Sequence, residues 1–202
     1  MFKINYNPVY KRFCERSAML SEEKVMLIQK GLTKGENFRV IKKTRREKKV
    51  GDVFICTVNG VVYYYGKILQ ANIINNTDDW INGCLQVSLF KEKTTEKTLD
   101  KFFGNYDNLI GGAPFIITSQ YWSYGWFETI GNIPLTEKDI NLDYGYYNKD
   151  FVGSQGAFYT AEGNILNHFP KFFSSFGVTT LTGVYNAFRD EIIIDPSLLE
   201  KD

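Results

Sequence analysis

The sequence predicts an α+β fold that is mainly β: an antiparallel, curled or barrel-like sheet with a few short helices, including a C-terminal amphipathic one. Composition is the first reason. Tyr, Phe, Ile, Val, Thr and Gly are common, with 16 Phe and 13 Tyr, whereas Ala is scarce. The second is a hairpin signal in VFICTVNGVVYYYGKIL (residues 53–69), where Asn59-Gly60 separates two apolar runs. The third is that helical spacing is confined to short stretches. A chain of 202 residues is one domain of ordinary size. It buries roughly 70% of its unfolded surface and needs no disulfide or metal staple.

Residues 1–20 show no clear period, and Pro8 argues against helix there. SEEKVMLIQKGL reads as a short helix: Ser21 caps it, Glu22 and Glu23 suit its first turn, and Gly31 ends it. Val25, Ile28 and Leu32 share its apolar face. LTKGENF is a turn-rich joint, so residues 1–37 are expected to form an N-terminal appendage and residues 38–202 a single main domain. A two-residue loop at Asn59-Gly60 sets a register in which Cys56 faces Tyr63, Phe54 faces Tyr65 and Asp52 faces Lys67. Tyr64 then points away from Tyr63 and Tyr65. Both faces of this hairpin are apolar, as in a covered sheet, and Gly66 allows a bend or bulge.

CLQVSLFK (84–91) is the next strand, and TTEKTLDKFFG reads as a short helix capped by Thr95 and ended by Gly104. APFIITS and GWFETI are further strands on either side of the loop QYWSY. NIPLTEKDI, DYGYYNKDF and GAFYTAEGNIL are expected to supply short strands and turns. Leu181, Val184, Tyr185 and Phe188 repeat at i, i+3, i+4, i+7, which marks an amphipathic helix starting near Thr179 or Thr180.

The net charge of +1 leaves any electrostatic steering to local patches. Cys14, Cys56 and Cys84 are widely spaced, with no CxxC pair, which suits a reducing compartment. The opening MFKINYNPVYKRF lacks the apolar core of a signal peptide, and no segment is long and apolar enough to span a membrane. A soluble cytoplasmic protein is expected. The one histidine, His168, argues against a zinc site and reads as a partly buried structural residue. No GxSxG elbow or phosphate loop appears; GGAPF and GSQGAF read as turns. Glu128 interrupts GWFETI and reads as an outward-facing strand residue. Acidic pairs such as Asp190-Glu191 have no spacing that demands acid–base chemistry. Neither an enzyme nor a cofactor is expected, although a hydrolase using carboxylates stays open as a third reading.

The basic run Lys42, Lys43, Arg45, Arg46, Lys48, Lys49 admits two readings. It can neutralise phosphates as part of a small nucleic-acid-binding β-barrel, or it can be a solvated stretch that keeps a sheet edge from pairing. Dividing the tyrosines between two faces spoils a stacking platform, so the second reading is preferred and nucleic acid is not the expected partner. Tyr121, Trp122 and Tyr124 cluster in one polar loop, as interface anchors do. Asp78, Asp79 and Trp80, together with Asp143, Tyr144 and the stretch to Asp150, offer local acidic patches with aromatic neighbours. These eight named positions, Asp150 aside, are the candidate partner-binding residues.

Three segments form an ordered set of motifs. The first is the hairpin start Gly51, Asp52, Val53, Phe54 followed by the step Tyr65, Gly66, Lys67. The second is Trp126, Phe127, Ile130, Gly131, Asn132, Pro134, Leu135. A weaker third is GVYNAFRDEI near the C-terminus. Together these segments resemble immunity protein family 26 of bacterial polymorphic toxin systems; the resemblance covers roughly residues 38–192 and is carried by glycines and apolar positions, which look like fold determinants. It implies a mainly β protein that binds a cognate toxin domain and neutralises it stoichiometrically by occlusion. It implies no catalytic residue.

Overall fold

The computed structural model describes residues 6–33, 35–149 and 156–201. Helices α1 (Pro8–Ala18) and α2 (Glu22–Lys30) come first, then strands β1 (Asp52–Cys56), β2 (Tyr63–Gln70), β3 (Leu85–Thr94) and β4 (Phe115–Ile117). The chain continues through α3 (Gln120–Ser123), β5 (Glu128–Asn132), α4 (Glu137–Ile140), β6 (Tyr144–Asn148), β7 (Ala157–Tyr159), β8 (Phe172–Ser175) and α5 (Leu181–Ile194). Five strands form an antiparallel sheet in the order β4-β3-β2-β1-β5, and three form a second sheet, β7-β6-β8. The β6–β8 pair is parallel. The α+β, mainly β class therefore holds, and the larger sheet is curled by register shifts rather than closed into a barrel.

The first hairpin differs from its expected register by one residue. Val53 lies opposite Lys67, Phe54 opposite Gly66, Ile55 opposite Tyr65 and Cys56 opposite Tyr64. Side chains of the connection are the cause. Thr57 Oγ1 accepts from the Gly60 N–H at 2.9 Å, and Asn59 Oδ1 accepts from the N–H groups of Val61 and Val62, both at 2.9 Å. These bonds build a wider turn than Asn-Gly alone, so the ladder stops at Cys56 and resumes at Tyr63. Phe54 and Cys56 consequently share a face with Tyr64 and Ile68, while Val53 and Ile55 share the other with Tyr63, Tyr65 and Leu69. Tyr64 does part from its two neighbours as expected.

Both faces of the sheet are covered. On one, α5 docks Val184 and Phe188 against Phe54, Tyr64 and Phe127, with Thr180 capping the helix. On the other, Tyr65, Phe90 and Tyr106 are packed over by Leu99, Phe102, Ile133, Leu135 and Leu142. The ring of Phe54 lies where a Cβ on Gly66 would stand, 2.3 Å from Phe54 Cζ, so only glycine lets the cross-strand ring settle. The β2–β3 register shifts at this same glycine.

Several local expectations are corrected. α1 exists because Pro8 occupies the first helical position, where its missing N–H costs nothing, and Asn7 caps it. Residues 95–104 do not form a helix: Thr94 and Thr98 hydroxyls take local N–H groups, and the Glu92 carboxylate accepts from the N–H groups of Phe103, Gly104 and Asn105. QYWSY contains the short helix α3, and Thr136 with Asp139 makes a capping box that starts α4. His168 is exposed, not partly buried, and pairs with Asp143 at 2.7 Å. α1 is held to α5 by Arg16, whose guanidinium meets the buried Glu191 carboxylate at 2.6 Å; Lys91 meets the same carboxylate at 2.7 Å.

Candidate functional site

The two strongest sequence segments meet in space. β1 pairs with β5 so that Asp52 opposes Asn132 and Val53 opposes Gly131. Gly51 adopts φ +83°, and a Cβ there would come within 2.6 Å of the Ile133 carbonyl oxygen. The Ile133 N–H donates to the Gly51 carbonyl at 2.9 Å, and Asn132 Nδ2 donates to Asp52 Oδ1 at 2.9 Å and to the Val50 carbonyl at 3.0 Å. These glycines and amides are fold determinants, as their residue types suggest.

Lys67 extends this junction into the second core. Its ammonium donates to Asp139 Oδ2 at 2.7 Å and to the Pro134 carbonyl at 3.3 Å, with both charged side chains almost fully buried. Asp139 also accepts from the Tyr106 hydroxyl at 2.5 Å and from the Thr136 N–H and hydroxyl at 2.6 and 2.8 Å. Burial pushes the Asp139 pKa up, but the bonds from Lys67, Tyr106 and Thr136 outweigh it and hold the carboxyl below its ordinary value. Burial, then the Asp139 bond, push the Tyr106 hydroxyl far up. With its proton held and the carboxylate occupied by four donors, this cluster is organised as a structural ion pair.

Above the cluster lies an open trough made of two adjoining cavities, of about 450 and 600 Å³, that share Phe103, Gly104, Tyr106 and Lys138. The inner one is walled by Phe102, Phe103 and Ile133 over Lys67, and the outer one by Asp107, Asn141, Asp143 and Lys171. Phe103 is 80% exposed even though its loop is fixed by Glu92.

A second surface surrounds Trp80, which is 87% exposed; Ile74, at the start of the same 74–80 segment, is 75% exposed. Their loop is tightly hydrogen-bonded. Asn75 Oδ1 accepts from the Thr77 and Asp78 N–H groups at 2.8 and 2.7 Å, and its amide donates to the Ala161 carbonyl at 2.7 Å. Asp78 caps the short 3-10 helix Asp79–Ile81 by accepting from the Trp80 N–H at 3.0 Å. Ile81 is driven into the core while its neighbour Trp80 stands in solvent, with exposed Asp79 alongside.

The other candidate residues are dispersed. Tyr121 and Trp122 are corrected from loop anchors to core residues: both are wholly buried, Tyr121 donating to the Thr180 carbonyl and Trp122 to Thr129 Oγ1. Their polar neighbours Gln120 and Ser123 form the outer side of α3. Tyr124 is half exposed and packs on Trp126. Asp143 lies on the trough, where burial is outweighed by bonds from His168 and the Lys171 N–H, and its carboxyl is held low. Tyr144 turns under the surface to Gln86, and burial raises its pKa. Asp150 falls outside the described residues, as does most of GSQG.

In the basic run, Lys48 is buried over the Trp122 ring and Lys42 faces Glu128 at 3.8 Å, while the remaining cations are exposed. Glu128 lies half buried and also holds Lys97 at 2.7 Å. Tyr64 and Tyr65 are wholly buried, so they offer nucleic-acid bases no stacking face. Among the described residues no His, Cys, Asp and Glu group is arranged to hold a metal, and no helix is long and apolar enough to cross a membrane.

Sequence reasoning missed the trough and its floor, because their residues come from β2, the 102–107 loop, α4 and the start of β8. The available signals were Lys67 inside an apolar strand and the candidate Asp143, which lies on the trough. Compared with known families, residues 49–155 match the model described as Immunity protein 26. The match spans β1 through β6, the Trp80 loop and most of the trough, and leaves out α1, α2 and α5. No curated protein and no solved structure matches the chain.

Proposed function

This chain belongs to the Immunity protein 26 family, and from that premise we propose that it is a cytoplasmic protein that binds a cognate bacterial polymorphic toxin domain and blocks it by stoichiometric occlusion. The observation that carries the reading is Trp80, a large aromatic side chain 87% exposed on a loop already fixed by Asn75, Asp78 and Asn82. Aromatic anchors dominate protein interfaces, and one held rigid before binding loses little entropy when it docks. Asp78 and Asp79 directly precede it in the chain, and such carboxylates complement a toxin surface rich in Lys and Arg, as the substrate grooves of nucleases are. Within the proposed appendage of residues 1–37, α1 and α2 brace α5 through Arg16–Glu191 and the bond from Lys24 to the Ile194 carbonyl.

The test is co-expression with the toxin domain encoded beside this gene. Wild-type protein is expected to protect cells and to co-purify at equal stoichiometry. Trp80→Ala is expected to weaken binding by about thirtyfold or more, equivalent to about 2 kcal/mol, while its stability stays within about 0.5 kcal/mol. Failure to bind or neutralise any neighbouring toxin would sink the function; full affinity in Trp80→Ala would sink the site alone.

A further inference from the structure

The trough shares no residue with the Trp80 loop and has its own chemistry. Its floor holds an incompletely used donor. A lysine ammonium carries three protons. Lys67 gives two to Asp139 Oδ2 and the Pro134 carbonyl, and the third meets no acceptor among the described residues. A second carboxylate is disfavoured at this point, since Asp139 already supplies the counter-charge. A neutral carbonyl is the acceptor that fits.

The walls beside Lys67 are apolar. Phe102 packs tilted against Tyr65 and edge-on against Phe90, at ring distances of 5.4 Å, and so is fixed. Phe103 is 80% exposed, yet its backbone is pinned by the Glu92 carboxylate and turned by Gly104 at φ +64°. An exposed aromatic on an ordered loop, beside an apolar hollow, is positioned to close over a guest side chain.

Charge decides the remaining contact. Asp107 pairs with Lys171 at 2.9 Å, Asp143 with His168 at 2.7 Å, and Glu137 accepts from Asn141 at 2.9 Å. Lys138, which lines both cavities, has no such partner among the described residues. The trough is open and runs through two adjoining cavities, which suits a chain segment, and its carboxylates oppose a phosphate backbone.

We infer that the trough between the 102–107 loop and α4 binds a peptide segment of a partner protein. An apolar side chain sits against Phe102 and Phe103, a main-chain carbonyl accepts from Lys67, and an acidic side chain reaches Lys138. The inference does not require the partner to be a toxin. It can be read with fluorescent, end-blocked peptides that carry one phenylalanine and one glutamate one to three residues apart, compared with the same peptides bearing lysine for glutamate. Fluorescence polarisation is expected to show the glutamate set preferred by wild-type protein, about tenfold weaker binding to Phe103→Ala, and a reversed charge preference in Lys138→Glu. Both substitutions are at exposed positions, and an unchanged melting temperature confirms the fold. Absence of binding at millimolar peptide, equal binding by wild type and both variants, or indifference to the peptide's charge would overturn the inference. So would N-acetylphenylalaninamide competing as well as the peptides, since a single residue would then account for the site.

Discussion

The floor of the trough and the Trp80 loop invert the usual rule of burial. At the floor an ammonium and a carboxylate lie in the core, while on the loop a tryptophan stands in water. What separates them is hydrogen bonding. Asp139 receives four donors, so its charge is tolerated inside. The Trp80 loop satisfies its own polar atoms through Asn75 and Asp78, so it holds shape without burying the indole. One region uses polar groups to fix the fold; the other uses them to display an apolar group.

The comparison breaks most visibly at Lys67. Lys67→Met leaves Asp139 buried and unpaired, and is expected to cost about 3–5 kcal/mol in urea unfolding. Adding Asp139→Leu should recover much of that loss, because the pair is then replaced rather than broken. A Lys67→Met protein as stable as wild type would mean the pair does not hold the floor.

Asn75 tests the loop from beneath. Asn75 is only 5% exposed, and Asn75→Ala removes the acceptor for Thr77 and Asp78 and the donor to Ala161. The expected cost is about 1–3 kcal/mol, with faster amide exchange over residues 77–81 and weaker toxin binding although Trp80 is untouched. Retained affinity would show that the indole needs no fixed loop.

Acid separates a carboxylate raised by burial from one held low by its donors. Burial raises the Asp190 pKa to about 6, against the opposing pull of Arg189 and Arg16, whereas Asp139 is held low. A raised folded pKa means the stabilising contribution is present below the unfolded value of 3.8 and is lost as pH rises through about 6. Asp190→Asn should therefore gain about 1 kcal/mol at pH 7 to 8, after allowance for solvent screening, with the gain fading towards pH 4. Asp139 works in the opposite sense: its contribution holds above the ordinary carboxylate range and is lost as pH falls through its depressed pKa. Melting curves against pH would expose both trends, and an Asp190→Asn gain that persisted at pH 4 would contradict the assignment.

How much of this was legible in the sequence depended on whether the controlling interactions were local. Ser21 and Thr180 cap α2 and α5 where periodicity places those helices. Pro8 carries a local signal too, but a proline argues against helix in mid-segment and favours it at a helix start, where it stands. The hairpin slipped because Thr57 and Asn59 side chains, not the Asn-Gly backbone, set the turn. The helical spacing of Leu99, Phe102 and Phe103 was misleading, since Glu92, outside that window, captures the local N–H groups. Trp80 was visible as an aromatic in a polar, acidic run. Tyr121 and Trp122 looked similar, and only the cover of α5 and the 42–48 segment puts them inside. The trough has no local signature, because its parts lie far apart in the chain.

The three tryptophans occupy three different environments: Trp80 in solvent, Trp126 half covered by Tyr124 and Tyr121, and Trp122 sealed against Phe54 and Phe127. The protein thus carries a built-in optical gauge. Acrylamide meets Trp80 readily and Trp122 hardly at all, so quenching that disappears on complex formation reports docking at that loop. Emission that shifts to the red under denaturant reports the opening of the core around Trp122, without any attached dye.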